Sequence, residues 1–562
     1  MKMLLSIIKN NKNVLSKINL LIIFIILICD ISVVNSAVFK SPNKDDASYW
    51  RTYAENYLKK VLTRTQTSKN VAKNVIIFLG DGMGMATITA ARIYKGQQRE
   101  LSGEEESLEF DEFPHIGLAK TYNTNKQVPD SAGTATALFT GVKTIYRGIG
   151  VDATVTETNV NQTQLSSIID WAQSVGKRTG LVTTTRVTHA TPASLYAHSF
   201  HRDWECNALV PEHLNKTTKD IARQLVENLP GTRMNVVLGG GRDCFGASIP
   251  SQLVQESKFG GKFEKTCIRT DGLNLTQAWL NSFPNKSIEY VTNTAQLLNV
   301  DIDEIDHLLG LFSDNHMSYN KIRDRSQQGE PSLAEMVEIA IKILNNKNSS
   351  GFVLMVEGGR IDQAHHQNHA HLALEETLEF DKAVKIAKEL TYSDETLIIV
   401  TADHSHSLTL NGYPTRGNDI LGFANKDDTF PYETLTYANG PGFNYHRDNV
   451  SSDARYGTWL KVEELGAKRN EITYQHLATF PLGDETHGGE DVPVYSNGPG
   501  SELLAGVFEQ NYVAYAVSYA ACIGPVESLN DNCRTVIKSS SAKFTYSSVF
   551  IIVLSILLVN FY

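Results

Sequence analysis

The sequence predicts an α/β fold in which a central, mostly parallel sheet is flanked by helices on both faces. Short, wholly apolar runs of strand length recur along the chain, as strands buried on both faces require. Segments with a 3.6-residue apolar period lie between them, so strands and helices alternate. The composition, 41% hydrophobic and 20% charged over 562 residues, supplies a large core and excludes global disorder. A formal net charge of -10 makes the chain a poor general binder of nucleic acid, whose backbone selects basic surfaces.

Both ends of the chain read as targeting segments. Lys2, Lys9, Lys12 and Lys17 precede an apolar run from Leu20 to Cys29, and Val34-Asn35-Ser36-Ala37 suits a signal peptidase. Residues 1–37 therefore read as a secretory signal peptide; ten apolar residues are too few to span a bilayer comfortably. At the other end, small residues (Ser539, Ser540, Ser541, Ala542), a polar spacer and a short apolar tail form a GPI-attachment pattern. One of the three serines is the expected anchor site, and residues 542–562 the removed propeptide. Secretion gives meaning to six N-x-[ST] glycosylation sequons, at Asn161, Asn215, Asn274, Asn285, Asn348 and Asn449. It also favours disulfides among the five cysteines left after the signal. Cys522 and Cys533 are the expected pair by proximity. Cys244–Cys267 is a plausible second pair, which leaves Cys206 free.

Along residues 38–541 the expected strands are Val75–Leu79, Leu181–Val182 with the threonines after it, Asn235–Leu238, Phe352–Val356 and Leu397–Val400. The expected helices are Leu165–Ser174, Ser332–Leu344 and Leu372–Leu390, the second opened by a Ser332/Glu335 capping box.

In parallel sheets the functional site lies beyond the C-terminal strand ends. Here those ends run into Gly80-Asp81-Gly82-Met83-Gly84, into Arg186-Val187-Thr188-His189-Ala190-Thr191, into Glu357-Gly358-Gly359-Arg360-Ile361-Asp362, and into Thr401-Ala402-Asp403-His404. One such acid is usually a turn former; four strands delivering carboxylate, imidazole or hydroxyl groups to one edge point to metal chemistry. Asp362 and His366, at i and i+4, share one helix face. Asp403-His404 is adjacent, and His487 offers a third imidazole. Mixed imidazole and carboxylate donors suit zinc, and oxygen donors suit magnesium. Within His365-His366-Gln367-Asn368-His369-Ala370-His371 only His366 has ligand spacing, and His369 and His371 are expected on the surface. Ser131 precedes a run of small helix-forming residues. It is either a helix cap or a nucleophile placed where free N–H groups favour phosphate.

Val128-Pro129-Asp130-Ser131-Ala132-Gly133-Thr134-Ala135-Thr136-Ala137 resembles the active-site signature of alkaline phosphatases. Asn74-Val75-Ile76-Ile77-Phe78-Leu79-Gly80-Asp81-Gly82-Met83-Gly84, Val356-Glu357-Gly358-Gly359-Arg360-Ile361-Asp362, Thr401-Ala402-Asp403-His404-Ser405 and Glu485-Thr486-His487-Gly488-Gly489-Glu490-Asp491 resemble the family's in the same order. The resemblance runs from about residue 45 to about 525 and is nearest to the animal, GPI-anchored branch. It implies a three-layer α/β sandwich with a crown-type insertion at about 411–482. It implies hydrolysis of phosphate monoesters through a phosphoserine at Ser131. It also implies two Zn²⁺ and one Mg²⁺ per subunit. Asp362, His366 and His487 would hold one zinc, and Asp81, Asp403 and His404, with Ser131, the other. Asp81, Thr191 and Glu357 would hold magnesium, with His189 behind them. Arg202 would clamp the phosphoryl group, oriented by Asp130. The helix-like Ser48–Arg64 resembles the family's dimer-embracing arm, so a homodimer is implied, on the outer cell surface.

Two departures stand out. Gln363 occupies a position where many vertebrate members carry His. Ser313 follows Gly310-Leu311-Phe312 where they carry an acid, which argues against their calcium site. A phosphodiesterase or sulfatase on the same scaffold would lack the Asp-Ser-Ala run together with Arg202. An inert adhesion protein would have lost a ligand or the nucleophile, and every expected position is filled.

Overall fold

The computed structural model describes residues 46–533 except 66–67, 69, 249–266, 347–348, 425–431, 449–457 and 470. The expected signal-peptide and GPI-attachment segments, with Ser539, Ser540 and Ser541, lie outside the described residues, as do Asn348 and Asn449. Among the described residues no helix is long and apolar enough to cross a membrane.

The main sheet holds ten strands. They are β1 Asn74–Gly80, β2 His115–Lys120, β3 Arg178–Arg186, β4 Val236–Gly240, β5 Ile288–Val291, β6 His307–Leu311, β7 Phe352–Gly358 and β8 Thr396–Ala402, with two later ones. Between β8 and those two, the chain leaves the sheet to form β9 Ser405–His406, β10 Leu408–Leu410, β11 Leu435–Gly440, β12 Arg447–Asp448, β13 Thr458–Trp459, β14 Ala478–Pro481 and β15 His487–Gly488. It returns as β16 Val492–Asn497 and β17 Gly506–Glu509. The spatial order is β17-β2-β16-β8-β1-β7-β3-β4-β6-β5. Seven consecutive strands, β8 through β5, pair in parallel; β16 runs antiparallel between β8 and β2.

All five expected strands are present. β1, β7 and β8 are buried at every position, which is why their sequences read as unbroken apolar runs rather than alternating ones. β2 was not expected: its residues alternate in burial and it includes the exposed Ile116, so it shows no such run.

The helices sort to two sides. Leu333–Leu344 and Ala370–Leu390 pack on each other and on the central strands, while Ile168–Ser174 and Tyr512–Ala521 meet the same strands as a second group. The capping box at Ser332 forms: its Oγ accepts the Glu335 N–H at 3.2 Å and the Glu335 carboxylate accepts the Ser332 N–H at 2.7 Å. The N-terminal helix Ala47–Arg64 is capped by Asp46 and buries Trp50, Ala54, Leu58 and Val61. Tyr49, Tyr53 and Tyr57 stack along it with ring centroids 6.4–6.5 Å apart.

The cysteine expectation needs one correction. Cys522–Cys533 is bonded, but the second bridge is Cys206–Cys267, and Cys244 is the free, buried thiol. Asn207 and Thr270 exchange side-chain and backbone hydrogen bonds of 2.9 and 3.0 Å, which dock the two cysteine-bearing segments together. Cys244 turns inward instead, against Thr188 and Glu205. Nearness in sequence favoured Cys244–Cys267; the tertiary contact favoured the pair 61 residues apart. Asn161, Asn215, Asn274 and Asn285 are exposed.

Candidate metal centre and nucleophile

The C-terminal ends of β1, β3, β7 and β8 converge as expected. Asp81 follows β1 and is fully buried; Glu357 lies within β7 and is fully buried; Asp403 and His404 follow β8 and are fully buried. Gly82 lets the chain pass beneath this edge. Its φ is +67°, and a Cβ there would collide with the His406 ring.

Ser131 is not the helix cap. Asp130 is, its Oδ1 accepting the Gly133 N–H at 3.3 Å and the Arg147 N–H at 3.0 Å. Ser131 is therefore the first residue of the helix Ser131–Thr140, with its hydroxyl free for other work. That hydroxyl lies 3.4 Å from Asp81 Oδ1 and 3.1 Å from His404 Nε2, at 1% exposure. Asp130 Oδ2 meanwhile accepts from Arg202 Nη1 at 3.2 Å, and Arg202 Nη2 lies 3.0 Å from His189 Nε2. Cap, nucleophile candidate and guanidinium are thus mechanically joined.

Asp362 and His366 come from one helix, Arg360–His366, and His487 reaches them from β15. His366 Nδ1 lies 2.5 Å from the Glu485 carbonyl, and His487 Nδ1 lies 2.8 Å from the Pro129 carbonyl. A carbonyl can only accept, so both Nδ1 atoms carry the proton and both Nε2 atoms present lone pairs. Those two Nε2 atoms stand 3.1 Å apart, and each is 3.3 Å from Asp362 Oδ1. Two imidazole lone pairs and a carboxylate oxygen with no proton between them repel. A cation at their centre turns the same arrangement into ligation, and this donor set fits zinc.

Three groups of donor atoms, each within 4.8 Å of one another, occur among the described residues: Asp362/His366/His406/His487, Asp81/Asp362/His404 and Asp81/His189/Glu357. Asp403 belongs beside the second, its Oδ2 being 3.2 Å from His404 Nε2. The third contains His189 itself, placed behind the magnesium donors in the sequence reading. Asp81 Oδ2 and Glu357 Oε1 are buried without a hydrogen-bond partner, an arrangement that costs about 1–3 kcal/mol per group unless a cation supplies the missing contact.

The electrostatics agree. Burial, with Asp403, Asp362 and Glu357 nearby, pushes the Asp81 carboxyl well above its usual range. Burial likewise raises Glu357, against the opposing effects of His189, Thr183 and Thr191, and raises Asp403. Asp362 behaves oppositely: burial would raise it, but His366, His406 and His487 outweigh burial and hold it well below. Carboxylates crowded at about 4 Å cost about 4 kcal/mol per pair at an effective dielectric of 20, so bound positive charge is what lets them all ionise.

Two residues escaped the sequence reading. His406 Nε2 lies 2.7 Å from Asp362 Oδ1, and its Nδ1 meets the Glu485 carboxylate, which with Asp362 lifts the ring to about 10 against burial. The signal was available: His404 and His406 alternate on an extended segment and so face the same way. Glu485 gave no such signal, being one acid in a loop rich in them. In the histidine run, His369 is a correction. It is buried, its Nδ1 2.9 Å from the Tyr474 carbonyl, and His371 is partly buried against Tyr94 and Glu375, because this turn packs beneath the excursion between β8 and β16. After Phe312, Asp314 is held by Arg242 Nε at 2.7 Å.

The comparisons with known proteins point one way. The family model described as alkaline phosphatase matches residues 72–523. The chain is 51% identical over 514 residues to Alkaline phosphatase 4 of Drosophila melanogaster, covering 88% of this chain and 85% of that one. It is 46% identical over 513 residues to the human tissue-nonspecific isozyme of alkaline phosphatase, covering 89% and 93%. Its fold is similar to that of Thermus thermophilus alkaline phosphatase, at TM-score 0.56 and 23% identity over 85% of this chain and 97% of that one. A metal-binding strand edge, a buried serine beside it and this relatedness over most of the chain lead to one conclusion: the chain belongs to the alkaline phosphatase family, the animal-type metal-dependent phosphomonoesterases.

Proposed function

We propose that the chain hydrolyses phosphate monoesters through a covalent phosphoserine at Ser131. The observation that carries this reading is the convergence of lone pairs from His366, His487 and Asp362 beside a serine that has been relieved of capping by Asp130. Asp362, His366 and His487, supported by His406, would hold one zinc; Asp81, Asp403 and His404, with Ser131, would hold a second. Asp81, Thr191 and Glu357, with His189 alongside, would hold magnesium. When bound, these ions supply the positive charge that lowers the pKa of the serine hydroxyl and offsets charge on the reacting oxygens.

Arg202, oriented by Asp130 and His189, forks onto two phosphoryl oxygens and holds the phosphorus in front of Ser131 Oγ. The Ser131 hydroxyl gives its proton to solvent and the oxygen attacks in line; the Oγ–P bond forms as the ester P–O bond breaks, and the alcohol leaves with a proton from solvent. Water then attacks from the vacated side, the P–Oγ bond breaks, phosphate departs and Ser131 regains its proton. Two inversions retain configuration at phosphorus. A dimer formed through Ala47–Arg64, N-glycosylation and a GPI anchor on the outer cell surface complete the reading, supported by the sequence segments described above.

The test is hydrolysis of an aryl phosphate by the secreted form, from about pH 7 to about 10.5, beside Ser131→Ala. Loss of activity on the order of 10³-fold or more in the variant, with labelled phosphoserine trapped only in the wild type, is the expected result. Activity that survives Ser131→Ala would sink the mechanism.

A further inference from the structure

We propose that His316 is a positioning residue for the phosphate clamp, acting on Arg202 through His189; the inference rests on the assignment of Arg202 given above. His316 sits in the loop after β6, which folds back over the end of β3: the Met317 N–H donates to the Thr184 carbonyl at 3.0 Å. At 6% exposure the His316 ring lies between two sets of groups. On one side is Arg186, whose Nη1 lies 2.7 Å from His316 Nε2. A guanidinium cannot accept, so His316 Nε2 is the acceptor. Arg186 is itself immobilised by Glu205, at 2.8 and 2.7 Å, and by Asn315 at 2.6 Å. On the other side is His189, edge-on to His316 with ring centroids 5.3 Å apart and an interplanar angle of 76°.

Gln363 closes the arrangement. Its Oε1 accepts from Arg360 Nη1 at 2.5 Å, which turns its amide nitrogen toward the His316 ring at 3.2–3.3 Å. A glutamine therefore packs against an imidazole that comes from a different loop. The consequence reaches the phosphate clamp in two contacts: His316 limits where the His189 ring can swing, and His189 Nε2 is one of the groups holding the Arg202 fork, with Asp130. The anchored side of this relay, Arg186 with Glu205, is buried and rigid, so the ring acts as a backstop rather than as a ligand or acid.

The test uses the full metal-loaded enzyme, with metal content measured in every sample. Inorganic phosphate affinity is read by competitive inhibition and by calorimetry for wild type, His316→Gln, His316→Ala, Arg202→Ala and the His316→Gln/Arg202→Ala double variant. His316→Gln keeps an acceptor for Arg186, so it carries the test should His316→Ala fail to fold. The expected result is phosphate affinity weakened about 3- to 30-fold in His316→Gln at wild-type metal content, KM rising more than kcat falls, and no further loss when Arg202→Ala is already present. Wild-type phosphate affinity in His316→Gln, or effects that multiply in the double variant, would overturn the proposal. Unchanged phosphate affinity in Arg202→Ala would instead overturn the clamp assignment on which it rests.

Discussion

Two regions of this molecule bury histidines and carboxylates together, and they treat the charge in opposite ways. In the excursion between β8 and β16, Glu433 is fully buried. Tyr474 donates its hydroxyl to one carboxylate oxygen, and the Leu477 N–H donates to the other at 2.7 Å. Burial raises that carboxyl to about 8, and it depresses His446 to about 4 and His476 to about 3. Near neutral pH the region avoids charge by holding a proton on the acid and none on the rings. At the edge of the main sheet, Asp81 and Glu357 keep oxygens with no protein partner, and imidazole lone pairs are aimed at one another. Burial pushes the acids upward in both regions; the difference is that both Glu433 oxygens meet protein donors, whereas the sheet edge leaves oxygens and lone pairs that a cation can fill.

The largest effect that tests this contrast is chelation. Removing the ions is expected to abolish hydrolysis and to lower stability by about 4 kcal/mol or more for an ion held at 1,000 times its dissociation constant, read as a fall in Tm. Glu433→Gln should show the same fall as wild type; a chelation effect that vanished in this variant would break the comparison.

A smaller effect carries a change of sign. Glu357→Gln removes one of the crowded carboxylates. In metal-free protein it should stabilise, and in metal-loaded protein destabilise and lower metal content, by about 1–3 kcal/mol each way. The same sign in both states, by calorimetry, would show that repulsion is not what the site stores.

The smallest effect belongs to pH. The folded-state value for Glu433 is raised above 4.5, so the stability it contributes is complete below that pH and is lost as pH rises toward about 8. His446 and His476 lie below 6.5 when folded, so their cost appears as pH falls beneath 6.5, where only the unfolded chain takes up protons. The difference in Tm between Glu433→Gln and wild type should therefore grow in favour of the variant from about pH 4.5 to 8. A flat difference would mean that the acid is ionised in the folded protein.

Much of the site could be read from residue order. β1, β7 and β8 are buried on both faces, so their apolar runs and polar ends mark the sheet edge without any tertiary information, and Asp362 and His366 declare one helix face by spacing. His406 was legible in principle from its alternation with His404. The cap at Asp130 was legible too, since the Gly133 N–H it accepts is three residues away. The Cys206–Cys267 pairing and the burial of His369 were not, because each depends on a loop or turn meeting a distant segment.

The sequence by itself determined the parallel sheet, the edge at which chemistry collects and the residue types assembled there, because burial on both faces and helical spacing are local properties written at periods of one to four residues. Only the tertiary structure decided which lone pairs converge, which acid is left without a partner, and that Gln363 and Arg186 capture His316 against His189. Those outcomes depend on distances between residues tens to hundreds of positions apart, set by the strand order β8-β1-β7-β3-β4-β6 and by the packing of the loops at its end.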